Sequence, residues 1–581
     1  MDTIKFSNCG CEVEKGKFDV NNIPLNCPAT WNLISSGFTK GIFQLETRLG
    51  SEWAKKVKPS NIQELGALIA LIRPGSLEAG QSEEYVDVKF GRKKLNYLHP
   101  CLENILKDTY GCLIYQEEAI KIATEIAGFS LENADELRKA MGKKLPELMS
   151  KLKIKFMEGC LKRGLVTKEI AEQIFGWIEK SQRYSFNKSH SISYAMLGYQ
   201  SCYIKTHFPH EFFTSYLTFS NYKSDPKQEV YELVQDARLF GINVLPPDIR
   251  TCNTHFKMME NGIRFGLSNI RGVGQSAITK IIEQSKSLST WNEFLKSLPV
   301  LHRSIGTALI KSGACDCFNM QRSQMIKELE IIFGTSIKNK EGKNEEIRGL
   351  TEKEREWFFN RLVENKSVKD VLLEMVQQTE NSPGKSLSSL KKEDIVNWSK
   401  KILGEQFDLS GLTKQDIINK LKENGYNEES MKSCVVGKRL QIIKEKLEQL
   451  KVDEIDTNLA KSVAEKYFLG IALTASPADD ADDSNASHNC LDLMKCLNGE
   501  SFSVVAVIDN IKCTKTKKGK NIGAQMCFLT ISDSTYSIDR AVVFPDIYEK
   551  IHCLCKETLV CLVTGYKKNG SIIIQDLKKL I

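Results

Sequence analysis

Apolar residues recur at helical spacing over most of this chain, but after residue 500 they gather into short strand-like runs. That switch constrains the fold more than any other feature. The runs are Ser503–Ile508, Met526–Ile531, Asp539–Phe544, Glu557–Val563 and Ile572–Ile574, with a helix expected over Ile547–Leu554, between the third and fourth. Five strands with a helix at that point predict an OB-fold β-barrel over 500–581. Its first loop carries Lys512, Lys515, Lys517, Lys518 and Lys520 and no acid, which suits single-stranded DNA. An OB-fold also serves protein contacts, so that alternative stands beside the first.

A chain of 581 residues holds several domains. With 41% hydrophobic and 27% charged residues its composition is that of a globular protein, and no run of 18 apolar residues suggests a membrane span. Met1-Asp2-Thr3-Ile4-Lys5 lacks the basic-then-apolar order of a secretory signal. Eighteen cysteines include no C-x-x-C pair, which favours free thiols in a reducing cytosol over a zinc cage. A cytoplasmic location is therefore expected.

Net charge is only +8, but its distribution is uneven. Between Arg138 and Arg163 nine Lys/Arg face two acids, Glu147 and Glu158. A one-sign window of that kind suggests a polyanionic partner. Cations near a helix C-terminus are favourable without any ligand, which accounts for one or two of these charges. Downstream, Tyr184-Ser185-Phe186-Asn187-Lys188-Ser189-His190 sets four different hydrogen-bonding groups on consecutive residues between aromatic rings. Consecutive residues cannot share a helix face, so this knot reads as a turn or a helix start. Its amides and side chains suit a phosphate and its rings suit a base, whereas the plain alternative is a satisfied turn between core helices.

Taken in order, residues 1–20 are expected to form a flexible start. Asn8-Cys9 has the residue types of a protein-splicing junction, in what otherwise reads as an ordinary tail. Gln44 and Glu46 lie in Gly41–Glu46, a strand-like run that would put both on one face. Arg73 precedes Pro-Gly on a rigid turn. Tyr115 and Gln116 join a short strand to a helix, and Ser130 reads as a helix cap. Two of Tyr194, Tyr199 and Tyr203 are expected to be core. Gly272-Val273-Gly274, with apolar residues at helical spacing on both sides, is a helix-hairpin-helix pattern suited to DNA backbone, or an ordinary αα-hairpin.

Several blocks then line up. Gly41–Glu46, Ala70–Gly75, Thr109–Gly111 with Tyr115–Glu117, Leu137–Lys144 and Phe186–His190 resemble, in order and spacing, the fingers of the bacterial replicative DNA polymerase III alpha subunit family, the C family of polymerases. The resemblance covers residues 21–215. It implies that Arg138, Lys139, Lys143 and Lys144, with Asn187, Lys188, Ser189 and His190, handle the triphosphate of an incoming dNTP and the template phosphates. It implies further that Arg73, Gln44 and Tyr115 line the same cleft; Glu46 and Gln116 lie in the same blocks. Where the family usually has two arginines this chain has Arg138-Lys139, and a lysine lacks the bidentate fork.

The expected organisation is multidomain α+β: mainly helical fingers over 21–232, a helix-hairpin-helix, clamp-binding-like domain over 233–320, a lineage-specific helical insert over 321–465, a linker over 466–499, and the OB-fold barrel. Gln406, Phe407 and Leu409 form a poor match to the peptide with which the family docks on a sliding clamp, because Ser410 stands where the last aromatic belongs. A helix-terminal loop is the alternative. The family's palm run, Pro-Asp-x-Asp-x-Asp-Phe, does not occur here. Two-metal nucleotidyl transfer needs such carboxylates. The expectation is a split polymerase whose Mg2+ is held by a palm-bearing partner chain, with primer-template DNA and dNTP as ligands and this chain inactive alone. The competing expectation is a non-catalytic DNA- or clamp-binding accessory module.

Overall fold

The computed structural model describes residues 18–580 except 144, 182–184, 252, 285–287, 339–343, 348, 364, 381–388, 404–408, 410, 425–438, 451–454 and 517–521. The chain divides into two units, residues 1–220 with 232–243, and residues 221–231 with 244–581.

In the first unit, α1 (Ile62–Leu71) is apolar on almost every side and nearly all of it is buried; Asn61 caps it by accepting from Glu64 N. Against α1 lies α6 (Lys188–His207). The two approach closely: Ser191 Oγ donates to Gly66 O at 2.6 Å, and a Cβ on Gly66 would sit 2.8 Å from Ile192 Cδ1. Between them in sequence, α2 (Gln116–Ala127), α3 (Leu131–Lys143), α4 (Pro146–Arg163) and α5 (Lys168–Ser181) pack around Leu137, Leu152, Phe156 and Phe175. Glycine is obligatory at 159, where a Cβ would fall 2.0 Å from Ala127 O. Tyr199 and Tyr203 are core and Tyr194 is half-exposed, as expected.

Lys205 Nζ is completely buried. It donates to Phe38 O and Lys40 O, each at 2.8 Å, and to Asp236 at 2.5 Å, among the rings of Phe212, Phe213 and Phe240. Every donor of the ammonium is thereby used.

In the second unit, the hairpin Gly272–Gly274 leads into α7 (Gln275–Gln284). Further on, α8 (Arg322–Phe333) carries Arg322 into a buried node with Asp316, Glu465 and Thr474. Asp456 accepts from the Arg322 and Ser323 amides and so caps α8 from across the insert. These bonds tie α8 and α9 (Asn458–Leu469) to each other and to Asp316, across the expected insert. It also holds an antiparallel hairpin, Thr335–Lys338 with Asn344–Ile347. Segment 466–499, expected as a linker, is folded: α10 (Cys490–Lys495) buries Cys490 and Leu493 with the barrel core, and Ala478 packs on Val505 and Val507. Its acidic side chains face solvent while its few apolar ones pack, which is why composition alone misled.

The barrel is as the strand runs predict. Strands β1 (Ser501–Lys515), β2 (Gln525–Ser532), β3 (Ser537–Val543), β4 (Val560–Lys568) and β5 (Ser571–Lys579) close in the order β5-β3-β2-β1-β4. Helix α11 (Pro545–Ile551) lies between the third and fourth strands. Among the described residues no helix is long and apolar enough to cross a membrane.

Candidate nucleotide and nucleic-acid site

The knot is a helix start. Asn187 is the N-cap of α6, its side chain accepting from His190 N at 2.8 Å. Phe186 bridges to Tyr115: Gln116 N donates to Phe186 O at 2.9 Å and Phe186 N to Ile114 O at 3.0 Å. The start of α2 is thus pinned beside the start of α6. Gln116 also reaches α3, its Nε2 lying 3.9 Å from where a Cβ on Gly142 would be. Two helix starts and one helix end therefore converge, and the exposed side chains of Arg138, Lys139 and Lys143 come from that end.

Two acids shape this convergence. Glu117 accepts from Asn187 Nδ2 at 2.9 Å and from Lys188 N at 2.8 Å, so a carboxylate of the chain itself sits on the positive end of α6. Glu118, buried, accepts from the Ile114 and Tyr115 amides, each at 2.9 Å. Burial drives its carboxyl up to about 7, against those hydrogen bonds and the charge of Lys188.

Rings line the outer side. Phe186 and His190 meet edge-on at 5.5 Å, and His190 and Tyr194 lie 4.0 Å apart, one turn at a time along α6. Phe43 closes the row against Tyr194 at 5.0 Å. The Arg73 guanidinium lies over Phe186 at 4.6 Å and the Lys188 ammonium over Tyr115 at 5.5 Å. Phe186 and Tyr194 are half-exposed and His190 exposed, so the row offers flat apolar surface beside cations.

Arg73, Gln116, Asn187, Lys188 and His190 gather around Phe186 and Tyr115. Ser189 is exposed on the first turn of α6. Tyr115 is buried rather than cleft-lining. Gly41–Glu46 is a succession of turns, not a strand: Ile42 N donates to Thr39 O, Leu45 N to Ile42 O, and Gln44 has φ of 65°. Gln44 is exposed there, and Glu46 accepts from Tyr216 Oη at 3.1 Å. Lys144 lies outside the described residues.

The one-sign window also changes meaning. Asp135, three residues before it, takes Arg138 Nη2 at 2.7 Å and Lys139 Nζ at 2.8 Å, and those two cations hold its carboxyl below the usual range. Lys155 lies 3.7 Å from Glu136, and Arg163 caps the carbonyls of Thr124 and Glu125. Lys143, Lys151, Lys153 and Lys162 make no ion pair among the described residues.

In the second unit Gly272 has φ of 88°, and nothing lies within 4 Å of a Cβ built on Gly272 or Gly274. The hairpin backbone is therefore open to a ligand, with Val273 turned inward. On the barrel, Lys512 stands opposite Phe528 across β1 and β2, and Arg540 lies over the Phe528 ring at 4.7 Å. These residues, with Lys466, Asp539 and Tyr231, line a cleft of about 690 Å³. Lys515 is exposed at the end of β1; Lys517, Lys518 and Lys520 lie outside the described residues. So do Gln406 and Phe407, whereas Leu409 is buried with Ile395, Ile417 and Leu421 and is not free to dock on a clamp.

Residues 5–164 match the family model of the bacterial DNA polymerase III alpha subunit finger domain, and residues 241–325 match a helix-hairpin-helix motif. The chain is homologous to the bacterial DNA polymerase III alpha subunits. It is 31% identical to DNA polymerase III subunit alpha of Aquifex aeolicus over 561 residues, 91% of this chain and 45% of that one. The subunit of Thermus aquaticus is 36% identical over 58% of this chain and 28% of its own length, and that of Escherichia coli K12 35% identical over 54% and 27%. The chain thus spans less than half the length of these alpha subunits. The finger match begins at residue 5, within the segment expected to be a flexible start. The helix start at Asn187 lies between the two matched ranges.

Glu117, Asp135 and the Phe43–Tyr194 contact were missed from sequence as parts of this site. Glu117 directly follows Tyr115-Gln116 in the chain. Asp135 fell just outside a window that began at Arg138.

Proposed function

We propose that these residues supply the nucleotide- and template-handling part of a C-family DNA polymerase, completing an active site whose metal-holding carboxylates belong to a separate, palm-bearing chain. The observation that carries this is the convergence at Gln116, Gly142 and Asn187, which brings the cations of α3 beside the start of α6 and its ring row. Homology to DNA polymerase III alpha subunits supports the reaction class.

In this proposal Arg138, Lys139 and Lys143 meet the triphosphate of an incoming dNTP, with Arg73 and Lys188 beside them. Phosphoryl and nucleotidyl transfer rest on positioning and charge neutralisation, which such side chains provide without touching a proton. The row of Phe186, His190 and Tyr194 offers a stacking surface for a base. The open hairpin backbone and the barrel cleft hold duplex and single-stranded DNA through phosphates. Mg2+ would neutralise and orient the reacting phosphates. The carboxylates nearest the convergence do not fit it as ligands, since Glu117, Glu118 and Asp135 are each held by N–H donors of the chain. A replicative role would place the protein in the cytoplasm.

Primer extension with and without a palm-bearing polypeptide tests this. Synthesis is expected only from the pair; robust extension by this chain alone contradicts the proposal.

A second reading, an accessory DNA-binding module without a part in catalysis, is favoured by one observation. Arg138, Lys139 and the α6 start already have acids of the chain as partners. Arg138→Ala and His190→Ala separate the two readings. Loss of nucleotide incorporation at unchanged DNA retention supports the polymerase, and loss of retention alone supports the module.

A further inference from the structure

We propose that His488, Cys496 and Glu500 form a binding site for a divalent metal of the zinc class, on the segment that leads into the barrel. One imidazole nitrogen, one thiol and one carboxylate oxygen lie within 4.8 Å of one another, the only such group of three or more among the described residues. His488 Nε2 and Glu500 Oε1 are 3.8 Å apart, too far for a hydrogen bond. Ligand bonds of about 2.0–2.3 Å in tetrahedral array put neighbouring donor atoms about 3.4–3.8 Å apart. The imidazole and carboxylate, at 3.8 Å, are within about half an ångström of the spacing an N and an O ligand need. Closing the rest takes small rotations of His488 and Glu500, whose side chains are 21% and 42% exposed.

The imidazole and the carboxylate are each aimed by a second contact. His488 Nδ1 lies 2.7 Å from Ser487 Oγ, which leaves Nε2 for the metal. Ser487 is itself fixed, because Ser503 N donates to its hydroxyl at 3.0 Å and its own amide donates to Ser503 O at 3.0 Å. Glu500 Oε2 accepts from Leu497 N at 2.7 Å, which leaves Oε1 turned to the imidazole. Cys496, at the end of α10, is buried with Cys490 and Leu493 against the barrel core. A metal here would clip α10 and the turn after it to the start of β1.

The donor set selects the metal. Thiolate with imidazole suits Zn2+ and Co2+, whereas Mg2+ and Ca2+ take oxygen ligands. Three protein ligands leave a fourth position for water. Binding replaces the S–H bond of Cys496 by an S–metal bond and releases that proton to solvent, so affinity rises with pH.

The full chain, stripped with chelator, is titrated with Zn2+ against a competing chromophoric chelator and separately with Co2+. One equivalent is expected, with a thiolate-to-cobalt charge-transfer band and a rise in Tm. Cys496→Ser should abolish the band, and His488→Ala should abolish the Tm rise. Ser487→Ala should weaken binding about tenfold. Cys513→Ser, at an exposed thiol on β1, should change nothing. Circular dichroism confirms that each variant is folded; if Cys496→Ser is not, His488→Ala, at a partly exposed position, decides. Absence of a zinc equivalent in the wild type, or a band that survives both ligand variants, overturns the site and leaves His488–Glu500 a surface ion pair.

Discussion

Lys205 and the cations at the end of α3 carry the same charge in opposite settings. Lys205 is sealed in, with two carbonyls, Asp236 and three rings around its ammonium. At the end of α3, Arg138 and Lys139 share one exposed carboxylate, and Lys143 has no ion pair among the described residues. Taking Lys205 out of water is tolerable only because every donor finds an acceptor. The α3 cations stay solvent-exposed and keep donors beyond those that Asp135 takes. Whether a cation serves the interior or a ligand is decided by how many acceptors the fold brings to it, which the residue type does not reveal.

The largest effect that could break this contrast is at Lys205. Lys205→Met strands Asp236 without its partner and should destabilise the first unit by about 3–5 kcal/mol in denaturant unfolding. Adding Asp236→Leu should restore much of that loss. A change below about 1 kcal/mol for the single variant would mean that the pair carries no such load.

At the other pole, Arg138→Ala with Lys143→Ala should lower kcat/KM of a reconstituted polymerase by about 10²- to 10³-fold. Stability should stay within about 0.5 kcal/mol of the wild type, as for surface changes generally. If unfolding shifts as much as it does for Lys205→Met, the contrast fails.

Glu118 is a third case, a buried carboxyl that accepts from the Ile114 and Tyr115 amides and feels the charge of Lys188. Burial pushes its carboxyl up to about 7 in the folded chain, against the ordinary glutamate value of 4.5. Between those values the folded state binds the extra proton, so stability should fall as pH rises through that window, by about 3 kcal/mol. Glu118→Gln keeps an acceptor for both amides and should flatten the difference; Tm measured from pH 4.5 to 8 for both proteins checks it.

The smallest effect is at Asp135. Asp135→Asn removes the shared acid and should tighten DNA binding about two- to fivefold, with a steeper salt dependence. Equal salt slopes for the variant and the wild type would show that Arg138 and Lys139 do not meet phosphates.

The sequence carried much of this. Five apolar runs with one helix among them were enough for the barrel, because strand spacing and topology are tightly coupled in so small a closed sheet. The start of α6 was readable because Asn-Lys-Ser-His cannot lie on one helix face. Less legible was anything that depends on reach across the chain. Glu117 and Lys188 are 71 residues apart, and no local pattern pairs them. Gln44 reads as strand because its neighbours are apolar, yet its left-handed φ is imposed by the turns around it. Segment 466–499 reads as a linker because its few apolar residues are spaced too widely to show a period, although they pack against a sheet that already exists.

The carboxylate of Glu117 has one more consequence. A vacant helix start would collect chloride or inorganic phosphate from the medium. Under the proposed function, an incoming anion would have to displace a tethered carboxylate whose local concentration is fixed by the fold, which favours a polyvalent guest that also recruits Arg73 and Lys188 over a singly charged ion.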